Sequence, residues 1–98
     1  MAIRIQGNVV IPDETGNTSR RNVVVGYGSL TSITTGVGNV AVGYKTQANT
    51  TIGTNNVSLG DSALRRNTTG CNNTAIGNYA LYCNTTGNNN TAIGQYAL

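Results

Sequence analysis

The chain has 98 residues, a formal net charge of +3 and only 9% charged residues, with no His, Phe or Trp. That length fits one domain with a small core. The lack of histidine removes the usual base for Ser or Cys nucleophiles and a main zinc ligand. So mild a positive charge, without a basic cluster, gives no footprint for nucleic acid.

Residues 1–11 alternate apolar side chains at Ile3, Ile5, Val9 and Ile11. This predicts a short β segment, with Gly7-Asn8 as the turn between two strands. Residues 13–21 are polar and read as a linker, so residues 1–21 form an N-terminal segment that anchors or caps the rest of the chain. Met1–Asp13 lacks the cationic start and long apolar stretch of a secretory signal. No run approaches the length of a membrane span, and no membrane insertion is expected.

From residue 22 a period of 17 takes over. Gly26, Gly43, Gly60, Gly77 and Gly94 keep that spacing, as do Gly36, Gly53, Gly70 and Gly87, and Asn22, Asn39, Asn56, Asn73 and Asn90. The units are 22–38, 39–55, 56–72 and 73–89, with a half unit at 90–98. Each opens on its Asn and a three-residue strand: Val23-Val24-Val25, Val40-Ala41-Val42, Val57-Ser58-Leu59, Thr74-Ala75-Ile76 and Thr91-Ala92-Ile93. The corner Gly ends the strand. A small residue followed by Leu30, Leu64, Leu81 or Leu98 forms a second wall, which Gln47 interrupts. A Thr column (Thr34, Thr51, Thr68, Thr85) leads to the second Gly, which makes the return turn, Gly and Asn supplying the left-handed positions.

The Gly, Asn and Thr content is poor for helices, and the period suits two short strands and two turns. The fold class is therefore all-β: a parallel β-solenoid (β-roll) of 17-residue coils, preceded by the short N-terminal β segment. Stacking at about 4.8 Å turns the Asn and Thr columns into hydrogen-bonded ladders. Strand alternation predicts that the bulky outer positions fill the inside of the coil. The small middle ones (Ala41, Ser58, Ala75, Ala92) then form an outer face suited to close packing in a cyclic homo-oligomer.

Little in the array carries chemistry. The acids are Asp13, Glu14 and Asp61, and no pair of carboxylates faces across a cleft in this reading. No catalytic residue, cofactor or metal site is expected, and the chain reads as non-enzymatic. Whether Cys71 and Cys83 pair is left open by their spacing. Tyr27, Tyr44, Tyr79, Tyr82 and Tyr96 are the candidates for a surface-binding role, because exposed Tyr suits sugar and protein contacts; packing over the coil corners is their alternative.

Asn-Thr-Ala-Ile-Gly at 73–77 and 90–94, followed by Ala-Leu at 80–81 and 97–98, resembles the head repeat of trimeric autotransporter adhesins. The resemblance implies a β-roll wound as a homotrimer, intertwined or side by side; the family's unit is shorter, and the extra residues here fall at 67–70 and 84–87. The first eleven residues and the stretch 84–94 resemble tail and fibre proteins of bacteriophages, especially those of cyanobacteria. That resemblance implies a small trimeric tail-fibre, spike or baseplate component of a virion. Such a protein is assembled in the host cytoplasm, anchored to other tail proteins through Ile3, Ile5, Val9 and Ile11, and able to touch a host-surface glycan or protein. The alternatives are a head fragment of a surface adhesin and an ice-binding solenoid, the latter suggested by the Thr column.

Overall fold

A computed structural model describes residues 3–5, 8–10 and 21–97. Seven strands form one sheet in chain order: β1 (Ile3–Ile5), β2 (Asn8–Val10), β3 (Val23–Val25), β4 (Val40–Val42), β5 (Val57–Leu59), β6 (Thr74–Ile76) and β7 (Thr91–Ile93). From β3 to β7 the pairing is parallel and in register at one coil: Val24 lies beside Ala41, Ala41 beside Ser58, Ser58 beside Ala75, Ala75 beside Ala92. The 17-residue period is thus the climb of one coil of a β-solenoid, and all five expected repeat strands form where the sequence places them.

The N-terminal segment continues the same sheet. β1 and β2 pair antiparallel, Ile3 with Val10 and Ile5 with Asn8, and β2 adds to β3 through Val10 and Val25. The hairpin therefore occupies an edge of the parallel stack that would otherwise present unpaired backbone groups. Ile3 and Ile5 lie on β1 and Val9 on β2; Ile11, residues 11–20 of the expected anchor and linker, and Leu98 lie outside the described residues.

The strand faces are the reverse of the expectation. The small middle residues point inward: Ala41, Ser58 and Ala75 have 0% of their surface exposed, and Val24 and Ala92 are also buried. The bulky outer positions point out, with Leu59 45% and Ile93 69% exposed and Val23 and Val25 exposed as well. The reason is the second wall. Leu30, Gln47, Leu64 and Leu81 are buried and enter the coil from the opposite side. Leu-sized groups fill the narrow interior from one wall, and the other wall carries small groups opposite them, Val24 being the largest. Leu64 and Leu81 cluster with Ala63, Ala75, Ala80 and Ala92, and Leu30 with Val24 and Ala41.

The second wall is not a strand. Among the described residues each coil has one strand, the three-residue one, and Leu30, Leu64 and Leu81 sit in turns at φ of 51°, 51° and 50°. Left-handed backbone is uncommon for a bulky residue, so the alternation Ala-Leu resembles a strand in sequence only. The turns still ladder from coil to coil: the amide of Leu30 donates to Thr46 O at 3.1 Å, Gln47 to Ala63 O at 3.0 Å and Leu64 to Ala80 O at 3.0 Å.

The two glycine columns differ. The corner column runs at φ of 123° to 136°, where an L-side chain is strained, and a Cβ on Gly43 would collide with the Gly60 carbonyl of the next coil. The second column is not left-handed, contrary to the expectation for the return turn. It is glycine for lack of room: a Cβ on Gly53 would lie 2.6 Å from Gly70 O. Left-handed backbone recurs ahead of the later strands at Asn55, Asn72 and Asn89, at φ of 58° to 62°, a conformation that Asn tolerates well, and two residues past the corner glycine at Gly28, Lys45, Ser62, Tyr79 and Tyr96.

The Asn column forms the expected ladder through the backbone. Asn56 Oδ1 accepts from the Asn73 amide at 3.0 Å, while Asn56 Nδ2 donates to Gly70 O of its own coil at 2.8 Å. Asn22, Asn39 and Asn73 repeat both bonds. Thr34, Thr51 and Thr68 each donate a hydroxyl to the carbonyl of the Thr one coil on, at 3.2, 3.4 and 3.2 Å. Among the described residues, every buried side-chain N and O has a hydrogen-bond partner.

Candidate binding surfaces

The recurring residues of the coil are used up by turns, walls and ladders. What departs from the repeat marks the surface that could bind. Two features stand out: the outward sheet face and the corner side of the first three coils.

The outward face carries two side chains per strand: Val23 and Val25, Val40 and Val42, Val57 and Leu59, Thr74 and Ile76, Thr91 and Ile93. It has no charge on any of its ten positions. The corner glycine on one side and a left-handed residue on the other (Arg21, Gly38, Asn55, Asn72 or Asn89) hold each strand to three residues, so this face stays narrow through five coils.

The corner side carries the tyrosines, which gather into two groups. Tyr27 and Tyr44, on consecutive coils and one residue past the corner glycine, stack with ring centroids 5.8 Å apart and an interplanar angle of 12°. Tyr79 and Tyr96 sit one position later and stack at 5.3 Å and 20°, with Tyr82 tilted against Tyr79 at 5.2 Å. Coil stacking brings the members of each group together, and the coil of Asp61 separates the groups. Each ring thus packs on another and still presents surface: Tyr27 is 61% exposed.

Beside Tyr27 the surface opens into a groove of about 670 Å³, lined by Tyr27, Gly28, Thr31, Lys45, Asn49 and Arg65 among others. Lys45 Nζ lies 5.3 Å from the Tyr44 ring centroid, a cation–π arrangement. Arg65 donates to Ser62 Oγ at 3.4 Å. No carboxylate is among the described residues that line the groove. Gly28 stands where later coils carry Lys45, Ser62, Tyr79 and Tyr96, so the first coil leaves space there. Sequence reasoning named Tyr27 but missed Lys45, Asn49 and Arg65; the available signal was that their columns change residue type from coil to coil, unlike the Gly and Asn columns.

The acid chemistry is slight. Asp61 Oδ1 accepts from Ser62 Oγ at 2.8 Å. Among the described residues no three His, Cys, Asp or Glu side chains group as metal ligands. Cys71 and Cys83 are both free thiols. Among the described residues no helix is long and apolar enough to cross a membrane. The Thr hydroxyls of the ladder are committed to backbone carbonyls, so an ice-binding face would have to be built from groups already in use.

The fold defines a β-solenoid of 17-residue coils. No protein family, curated protein or solved structure matches the chain.

Proposed function

We propose that this chain is a non-enzymatic structural module: a homotrimeric component of a bacteriophage tail fibre, spike or baseplate. The observation that carries the reading is the outward sheet face. Eight of its ten side chains are Val, Leu or Ile, and one column of them, Val25, Val42, Leu59, Ile76 and Ile93, runs uninterrupted through five coils. The core gives the monomer little to stand on, because each coil buries at most one Leu and otherwise Ala-sized or polar side chains, apart from Val24 in the first coil. Burying apolar surface contributes roughly 25 cal/mol per Å², and here the bulk of the strand side chains is outside, where another copy can cover it. The homotrimer is built on this face, not on the small residues that strand alternation alone suggested.

The N-terminal hairpin supports the anchoring part of the reading. It extends the sheet past β3 and so carries the stack toward whatever precedes it in the particle. The resemblance of residues 1–11 and 84–94 to phage tail proteins supplies the setting, a virion assembled in the host cytoplasm. Host contact would fall to the exposed tyrosines. Mass spectrometry of purified particles of the phage encoding this chain tests the setting. The expected result is peptides of this chain in a copy number divisible by three; intact particles without it contradict the reading.

A further inference from the structure

We infer that the groove beside Tyr27 is a binding site for an acidic polysaccharide, one bearing carboxylates such as uronic acids. The inference deepens the host-contact part of the fibre reading and rests on it for its biological meaning, while the binding itself does not depend on oligomeric state. Its basis is the convergence of repeat-breaking residues from three consecutive coils. The solenoid needs none of them. The column of Tyr27 and Tyr44 goes on as Asp61, Asn78 and Gln95; that of Lys45 holds Gly28, Ser62, Tyr79 and Tyr96; that of Arg65 holds Thr31, Ala48 and Tyr82. The fold accepts small polar residues at all three positions, yet these coils bring an aromatic ring and two cations to one groove.

The chemistry of the lining selects the ligand class. A sugar ring offers an apolar C–H face and a rim of hydroxyls. Tyr27 offers a ring face held in place by its stack on Tyr44. Thr31, Ser32 and Asn49 offer hydroxyl and amide partners along the same groove. Lys45 and Arg65, with no opposing carboxylate among the described lining, favour an anion, and an Arg guanidinium matches a carboxylate in bidentate fashion. The volume lies within the range of small-molecule sites. The lining spans three coils, roughly 10 Å at the strand spacing, so an extended chain suits it better than a compact anion. Lys45 is also steered by the Tyr44 ring, which holds the ammonium beside the aromatic platform.

Calorimetry on the full chain tests this with three probes: a galacturonic acid tetramer, the neutral tetramer of glucose, and inorganic phosphate. The acidic tetramer is expected to bind saturably, with the other two at least about tenfold weaker, the scale of one charge-assisted hydrogen bond. Tyr27→Asn, Lys45→Ser and Arg65→Thr, each a residue the repeat itself uses in that column, are each expected to weaken it about tenfold; the melting temperature stays put in Lys45→Ser and Arg65→Thr and falls in Tyr27→Asn only by the loss of its stack on Tyr44. Arg66→Gln, an exposed charge outside the lining, leaves binding unchanged. Equal affinity for the neutral tetramer or for phosphate, full affinity in the three variants, or no binding at millimolar probe each overturns the inference. The native mass is independent of all of them, so a failure here is distinct from a failure of the trimer.

Discussion

Gln47 Nε2 donates to Ser58 Oγ across the coil at 2.9 Å. Gln47 is the one described residue that breaks the Leu wall, and Ser58 the one that replaces the small apolar residue of the strand with a hydroxyl. The two irregularities of the repeat therefore answer each other. Around them lies a polar layer in which Thr46 Oγ1 donates to Ser29 Oγ at 3.0 Å and Gln47 Nε2 also donates to Val40 O at 3.0 Å. This layer separates the apolar cluster of Val24, Leu30 and Ala41 from that of Ala63, Leu64, Ala75, Ala80, Leu81 and Ala92.

Ser58→Ala and Gln47→Leu should therefore be coupled. Each alone removes one partner of a buried hydrogen bond and is expected to cost about 1–3 kcal/mol. The double variant restores the Leu-on-Ala packing of the other coils and is expected to cost at least about 1 kcal/mol less than the sum. Urea unfolding at fixed protein concentration measures the coupling.

The Asn ladder predicts a gradient along the stack. Asn56→Ala leaves the Asn73 amide without its partner and the Gly70 carbonyl with only the longer bond from Asn67 Nδ2 at 3.2 Å, and one such orphaned buried group costs about 1–3 kcal/mol. Asn90 is exposed, so Asn90→Ala is expected to cost a small fraction of that. Melting curves of the two variants compare them directly.

The corner glycines and the left-handed asparagines should respond differently to substitution. Gly77→Ala places a Cβ at φ of 128° and close to the Gly94 carbonyl, and soluble expression is expected to fail or the circular-dichroism melt to be lost. Asn72, at φ of 60°, lies where glycine is equally at home, so Asn72→Gly should shift stability by no more than a few tenths of a kcal/mol.

Tyr79 touches both Tyr82 and Tyr96, whereas Tyr27 has only Tyr44 among the described aromatic pairs. Aromatic pairs contribute about 0.5–1.5 kcal/mol each beyond their buried area. Tyr79→Ser is thus expected to lower the melting temperature more than Tyr27→Asn does, and calorimetric melts rank the two.

The period, the five repeat strands and the corner glycines were legible in the sequence because each is set by local chemistry that recurs in one register. The direction of the strand faces was not. A pattern such as Val40-Ala41-Val42 alternates equally well with either face inward, and strand geometry alone leaves the choice open. Gln47 and Ser58 held the missing signal: two polar breaks that need each other place Ser58 and the Leu wall on the same, inner side. Leu30, Leu64 and Leu81 misled for another reason, since nothing local announces a leucine in left-handed backbone. The groove was hidden because its residues lie in three different coils and meet only through stacking.

The central claim is that the outward Val, Leu and Ile positions join copies of this chain. Native mass spectrometry of the wild type beside Leu59→Lys tests it most directly, because Leu59 is 45% exposed in the single chain and a lysine there leaves the core untouched. The expected masses are about three times 10.1 kDa for the wild type and that of one chain for the variant. A wild-type monomer at micromolar concentration, or an undiminished trimer of Leu59→Lys, would contradict it.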